Sequence, residues 1–204
     1  MHVFVFICFI LWIYMLTVFH RGKLHFFWFL WGSAGLFLFL MILVQPAATP
    51  VLQSLVSSAA GIVGRITGMY SSYYEYGILF IQHGNSAISL YIDYECSGII
   101  EMMVFIAMVA FFQVYEPGQR LAVGILGCLG IFFANIVRIF TICTIIYFFG
   151  NNSYYFAHTI AGRVVFYGMS VGLYYFTFTK AQVVKQKVGG FSYAEHLADT
   201  GGEN

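Results

Sequence analysis

The sequence predicts an all-α membrane protein: about five transmembrane helices, an amphipathic helix on the outer face, and a short strand-like segment before the third span. Three observations predict it. Of the 204 residues, 61% are hydrophobic and 8% charged, against roughly a quarter charged in soluble domains, so the chain cannot cover a water-facing surface. Five apolar runs approach the ~20 residues a helix needs to cross hydrocarbon. The Lys and Arg residues of the short loops fall on one side of a five-span topology.

The runs are residues 3–19, 26–44, 97–115, 121–149 and 154–179. The first has no basic segment ahead of it and no small-residue cleavage site. Its charges, Arg21 and Lys23, follow it, so it reads as a retained anchor rather than a signal peptide. Arg21 and Lys23, then Arg120, then Lys180, Lys185 and Lys187 share one side, which is therefore cytoplasmic. Segment 45–96 faces outward, residues 1–187 form a single multi-pass domain in the cell membrane, and 188–204 form a polar cytoplasmic tail.

Within segment 45–96, Leu52, Leu55, Val56, Ala59, Ile62, Val63, Ile66 and Met69 recur at helical spacing, with Gln53, Ser57, Gly64 and Arg65 on the other side. This pattern predicts a helix along the outer membrane surface. His83, Gly84 and Asn85 are turn formers. After them Ile88, Leu90 and Ile92 alternate with Ser89, Tyr91 and Asp93, which predicts a strand. Gly124, Gly127 and Gly130 permit close helix contact in the fourth span. At 29 residues (121–149) that span must tilt, project or break.

A formal charge of +1 excludes a strongly basic surface, and with it nucleic acid as a partner. The four cysteines, Cys8, Cys96, Cys128 and Cys143, make neither a disulfide framework nor a metal spacing, and no cofactor is expected. Cys96 differs from the others in lying at the edge of its apolar run, in "DYECSGIIEM".

Ionisable groups inside spans are costly and are functional candidates. Arg138 lies 17 residues beyond Leu121, about 26 Å up the fourth span. His158 lies about 6 Å below the outer end of the fifth. Cys96 opens the third. Three separate stretches therefore deliver Cys96, Arg138 and His158 to one level. A thiolate is the nucleophilic form of cysteine, favoured by a helix N-terminus and a guanidinium. His158 serves as acid and base; Arg138 either activates the thiolate or binds an oxyanion. Asp93 and Glu95 oppose a thiolate and are expected to point away, toward water or substrate. Taken singly, each residue has a plain structural alternative: a packing cysteine, a snorkelling arginine, an interfacial histidine. Asn135, one turn before Arg138, orients the guanidinium or substrate. Glu101 and Arg163, each five residues below a site residue, are expected to pair as ions beneath the site.

"ECSGII" at 95–100, "NIVRI" at 135–139 and the histidine of "AHTIAGR" at 157–163 resemble the three motifs of the exosortase/archaeosortase family. The resemblance covers residues 84–179. The chain is shorter than typical members, with fewer spans, and is most similar to the compact subtype of Gram-positive bacteria. The resemblance implies a membrane-embedded cysteine transpeptidase or protease. Its substrate is a membrane-anchored protein with a C-terminal sorting signal, cleaved through a thioester and passed to an amine or lipid-linked acceptor. By motif, Cys96 is the nucleophile, with Ser97 beside it, Arg138 the activator or oxyanion partner, and His158 the acid/base. The alternatives are a non-enzymatic subunit of an export or polysaccharide-assembly system and a purely structural scaffold.

Overall fold

The computed structural model describes residues 2–83, 86–93 and 96–183. Helix α1 (His2–Arg21) turns through Lys23 into α2 (His25–Leu43), and α2 leads through Val44 into α3 (Gln45–Thr67). A three-stranded antiparallel sheet follows, β1 (Tyr70–Tyr73), β2 (Ile78–His83) and β3 (Ser86–Tyr91), in the order β1-β2-β3. Next come α4 (Ile99–Phe111), α5 (Pro117–Phe149) and α6 (Gly162–Tyr174), the last flanked by π-helical turns at Phe156–Ala161 and Tyr175–Lys180. The turn expected at His83, Gly84 and Asn85 falls between β2 and β3, with Gly84 and Asn85 outside the described residues. Lys185, Lys187 and the polar tail expected at 188–204 lie outside them too.

Among the described residues, α2, α3 and α5 are long and apolar enough to cross a membrane, while Val5–Arg21 and α4 are apolar but shorter. Exposed Phe6, Leu11, Leu121, Ile125 and Leu129 give the helices an apolar exterior suited to lipid. The segment expected to span over 97–115 makes a helix of only 13 residues, about 20 Å long. Hydropathy runs on past it, but Phe112 is extended and Pro117 starts the next helix. In contrast, α5 is unbroken over 33 residues, about 50 Å. Its start is a capping box in which the Glu116 side chain accepts from the backbone of Gln119, whose side chain accepts in return from the Glu116 N–H.

The last turns of α5 pack Ile139, Ile142 and Ile146 against Leu79 and Ile81 of β2. A sheet with open edges cannot lie in hydrocarbon, where its unpaired N–H and C=O groups would have no partner. The sheet therefore stands outside the hydrocarbon, and α5 projects far enough to meet it. A second core, around Phe105, Ile131 and Phe166, joins α4, α5 and α6 lower in the bundle. Gly127 makes that junction possible: a Cβ there would stand 1.9 Å from the Phe105 ring. Gly124 has open space and Gly130 an ordinary contact with Leu173, so one of the three glycines carries the close approach.

Helix α3 forms where the spacing predicts, and the side it packs against the rest of the protein is the small-residue one. Val56, Ser57, Ala60, Gly61 and Gly64 are buried, whereas Leu55, Ile62 and Ile66 are exposed. The cause is steric: small side chains let the helix approach β1, whose Ser72 Oγ donates to Ser57 O and whose Tyr70 Oη donates to Ala60 O. Burial, and after it the charge of Cys143, pushes the Tyr70 phenol well above its ordinary range. At the far end of the sheet Gln53 Nε2 donates to Ile92 O at 2.8 Å, tying α3 to the segment that leads into Cys96.

Candidate active site

Between β3 and α4 the chain makes a tight turn, and Cys96 opens it. The turn is built by Asp93, whose Oδ1 accepts the Cys96 N–H at 2.9 Å while its carbonyl stands 3.2 Å from the same nitrogen. Asp93 therefore points back at the Cys96 backbone, not outward as expected; short carboxylates favour such side-chain-to-backbone turns. Glu95 lies outside the described residues. Gly98 closes the turn at φ 78, a left-handed conformation glycine adopts without strain. Ser97 is fully buried and its Oγ lies 3.4 Å from the Ile99 N–H, at the start of α4.

Arg138 and Asn135 arrive on α5. Their spacing of three puts them on one helix face, and both are buried. Arg138 lies 21 residues after Pro117, about 32 Å along the helix, close to the ~30 Å depth of hydrocarbon. Its Nη2 stands 3.6 Å from Cys96 Sγ, and its guanidinium lies 5.6 Å from the centre of the Phe166 ring, an aromatic face that favours a cation. Asn135 Nδ2 donates to Cys96 O at 2.7 Å. Asn135 thus fixes the backbone of the cysteine rather than the guanidinium. Its Oδ1 is buried without a hydrogen-bond partner.

His158 sits in the π-helical turn at Phe156–Ala161. Such turns shift the register of a helix and recur at functional sites. The shift aims the ring at the thiol: Nε2 is 3.1 Å from Cys96 Sγ. On its other side the ring stacks on Tyr154, with centroids 5.8 Å apart and planes 3° from parallel. Sulfur, imidazole and guanidinium, drawn from three separate stretches, therefore meet in one cluster.

The expected Glu101–Arg163 pair is not made. Arg163 is exposed and Glu101 Oε2 is buried without a hydrogen-bond partner. Equal depth on parallel spans did not translate into contact, because a helix face is set by rotation as well as by height. Among the described residues, no three His, Cys, Asp or Glu side chains cluster as metal ligands would.

The chain matches the family model described as transmembrane exosortase (Exosortase_EpsH) over residues 1–175. It belongs to the transmembrane exosortase family. The match takes in α1, α2 and α3, well beyond the 84–179 segment that carries the three motifs. No curated protein and no solved structure matches the chain. Four residues around this cluster lie outside the three motifs: Asp93, Tyr154, Phe166 and Gln53. Asp93 stands three residues before Cys96 and Tyr154 four before His158, spacings that carry a local signal. Phe166 meets Arg138, and Gln53 meets the Ile92 carbonyl, only through tertiary packing.

Proposed function

We propose that this membrane protein is a cysteine transpeptidase that cleaves a membrane-anchored protein substrate near its C-terminal sorting signal, at the outer membrane face. The observation that carries the reading is the cluster itself: Cys96 Sγ lies 3.1 Å from His158 Nε2 and 3.6 Å from Arg138 Nη2. A thiol, a base within proton-transfer reach and a cation make an activated nucleophile.

In the acylation step His158 takes the Cys96 proton, and the sulfur attacks the scissile carbonyl carbon. A C–S bond forms and the carbonyl electrons move onto oxygen, giving a tetrahedral oxyanion. When it collapses, the C–N bond breaks and the His158 imidazolium protonates the leaving amine. The resulting thioester is then attacked by an acceptor amine, lipid-linked or free, or by water. His158 takes the acceptor's proton, the C–S bond breaks and the thiolate returns. Arg138 stabilises the negative sulfur at the start and end of the cycle. Asn135, already bonded to Cys96 O, and Asp93, bonded to Cys96 N–H, hold the nucleophile in place. These two are positioning residues.

A membrane-impermeant thiol reagent, applied to intact cells, tests both the nucleophile and its sidedness. Cys96 is expected to react faster than Cys8, Cys128 and Cys143, and from outside. With a co-expressed sorting-signal substrate, Cys96→Ser is expected to abolish cleavage while insertion is unchanged. Full processing by that variant would falsify the nucleophile assignment.

A further inference from the structure

The sheet has an unused edge, and that edge leads to the nucleophile. Among the described residues, strand β3 is paired on one side only, to β2, in a register running from Ile78 opposite Tyr91 to His83 opposite Ser86. One residue further, the Ile92 N–H donates to Gly77 O at 2.9 Å, so that pair is a hydrogen-bonded one. Bonded pairs alternate along an antiparallel ladder. Leu90, Ile88 and Ser86 therefore direct their N–H and C=O groups to β2, and Ala87, Ser89 and Tyr91 direct theirs away from it. Among the described residues no backbone hydrogen bond engages those outward groups. They repeat over about 14 Å.

A groove of about 430 Å³ lies against this edge, lined by Ala87, Ile88, Ser89, Asn151 and Tyr154. Adjacent strand residues point to opposite faces of a sheet, so a space touching Ala87, Ile88 and Ser89 together lies off the edge rather than on a face. Its far wall is Tyr154, whose ring stacks on His158. β3 ends at Tyr91, and the chain leaves it through Ile92 and Asp93 in the direction of Cys96. The groove thus shares Tyr154 with the surroundings of the sulfur–imidazole pair, since the stacked His158 ring stands 3.1 Å from Cys96 Sγ, and it offers a row of backbone donors and acceptors along its side.

We propose that the β3 edge is the peptide subsite: the substrate binds there as a fourth, extended strand between β3 and Tyr154, which delivers its scissile carbonyl to Cys96. The proposal rests on the reading of Cys96 as a nucleophile toward peptide carbonyls. Strand addition uses main-chain hydrogen bonds for affinity and so tolerates varied side chains. It also has a signature that other binding modes lack: alternate amides of the ligand carry the bonds.

The test uses the full-length protein in lipid nanodiscs and a mixed-sequence pentapeptide ending in a chloromethyl ketone, which alkylates the Cys96 thiolate: the sulfur displaces chloride and a C–S bond forms. Two analogues carry N-methyl groups on the odd or on the even amides. One analogue is expected to react about 10-fold more slowly than the parent and the other at nearly the parent rate, two lost hydrogen bonds each contributing a few-fold. Ser89→Pro removes an outward N–H and leaves the β2–β3 ladder intact, as proline on an edge strand allows. It is expected to slow the peptide reagent about 3- to 10-fold while iodoacetamide, which needs no groove, alkylates Cys96 at the wild-type rate. Should Ser89→Pro also slow iodoacetamide, the turn has been disturbed and the two N-methyl series on the wild-type protein decide. Equal rates for the parent and both series overturn strand addition. If Cys96 proves fast toward iodoacetamide in that case, the nucleophile reading stands and only the subsite falls. If Cys96 is no faster than the other three cysteines, both fall.

Discussion

Replacing Arg138 with methionine removes the charge and keeps an apolar chain of similar length over Phe166. Two unit charges 3.6 Å apart interact by ~4.6 kcal/mol, from 332/(20 × 3.6), at an effective dielectric of ~20. The guanidinium spreads its charge over three nitrogens, so about 2 kcal/mol is a working figure. That corresponds to about 30-fold in the thiolate-to-thiol ratio. The assay is the rate of Cys96 alkylation by iodoacetamide from acid to alkaline pH. Arg138→Met is expected to slow alkylation about 30-fold at neutral pH. The sign follows from charge: the guanidinium favours the anion, so without it the thiol ionises at higher pH. The two profiles should therefore converge at strongly alkaline pH, where both proteins are fully ionised. Asp93, His158 and Tyr154 also face Cys96 and are the same in both proteins. A profile that stays in place, or moves to lower pH, refutes the role given to Arg138.

Other expectations follow from single contacts. Asn135→Ala leaves the buried Cys96 carbonyl without its donor and is expected to cost about 1–3 kcal/mol, read as a lower unfolding temperature in detergent with slower Cys96 alkylation. Asp93→Asn keeps the acceptor for the Cys96 N–H and should alkylate like the wild type, whereas Asp93→Ala should not; equal behaviour of the two would remove Asp93 from the site. Gly127→Ala should destabilise by about 1–3 kcal/mol through collision with Phe105, with Gly124→Ala nearly neutral, and Phe105→Leu should relieve the first. Neutralising Glu101 and Arg163 should have additive effects on unfolding, since the two side chains do not pair; a clear coupling in the double variant counts against this structure.

The helices were legible because hydropathy reports what surrounds a segment, and β3 was legible because Ile88, Leu90 and Ile92 alternate with polar neighbours. The meeting of Cys96, Arg138 and His158 was legible from depth alone, since rise per residue converts sequence number into height. What depth cannot give is rotation. That is why Glu101 and Arg163 lie at similar levels without pairing. Strands β1 and β2 went unread because "YSSYYEYGILFIQH" sets adjacent tyrosines beside the unbroken apolar run 78–81 and does not alternate. The short length of α4 went unread because Phe112 and Tyr115 prolong the apolar run after the helix has ended. The π-helical turn under His158 leaves no mark in composition, and Phe166 meets Arg138 only through the packing of α6 on α5.

The unbroken rod of α5 has a consequence for where such a protein works best. It is anchored in lipid over most of its length, holds Arg138 near its emergence, and ends braced on a water-side sheet, while Cys96 hangs from a helix less than half as long. Acyl chains too long or too short for the bundle change the lean of a long helix far more than that of a short one. The gap between guanidinium and sulfur then becomes a gauge of bilayer thickness, and reconstitution in lipids of graded chain length turns that gauge into a measurable optimum.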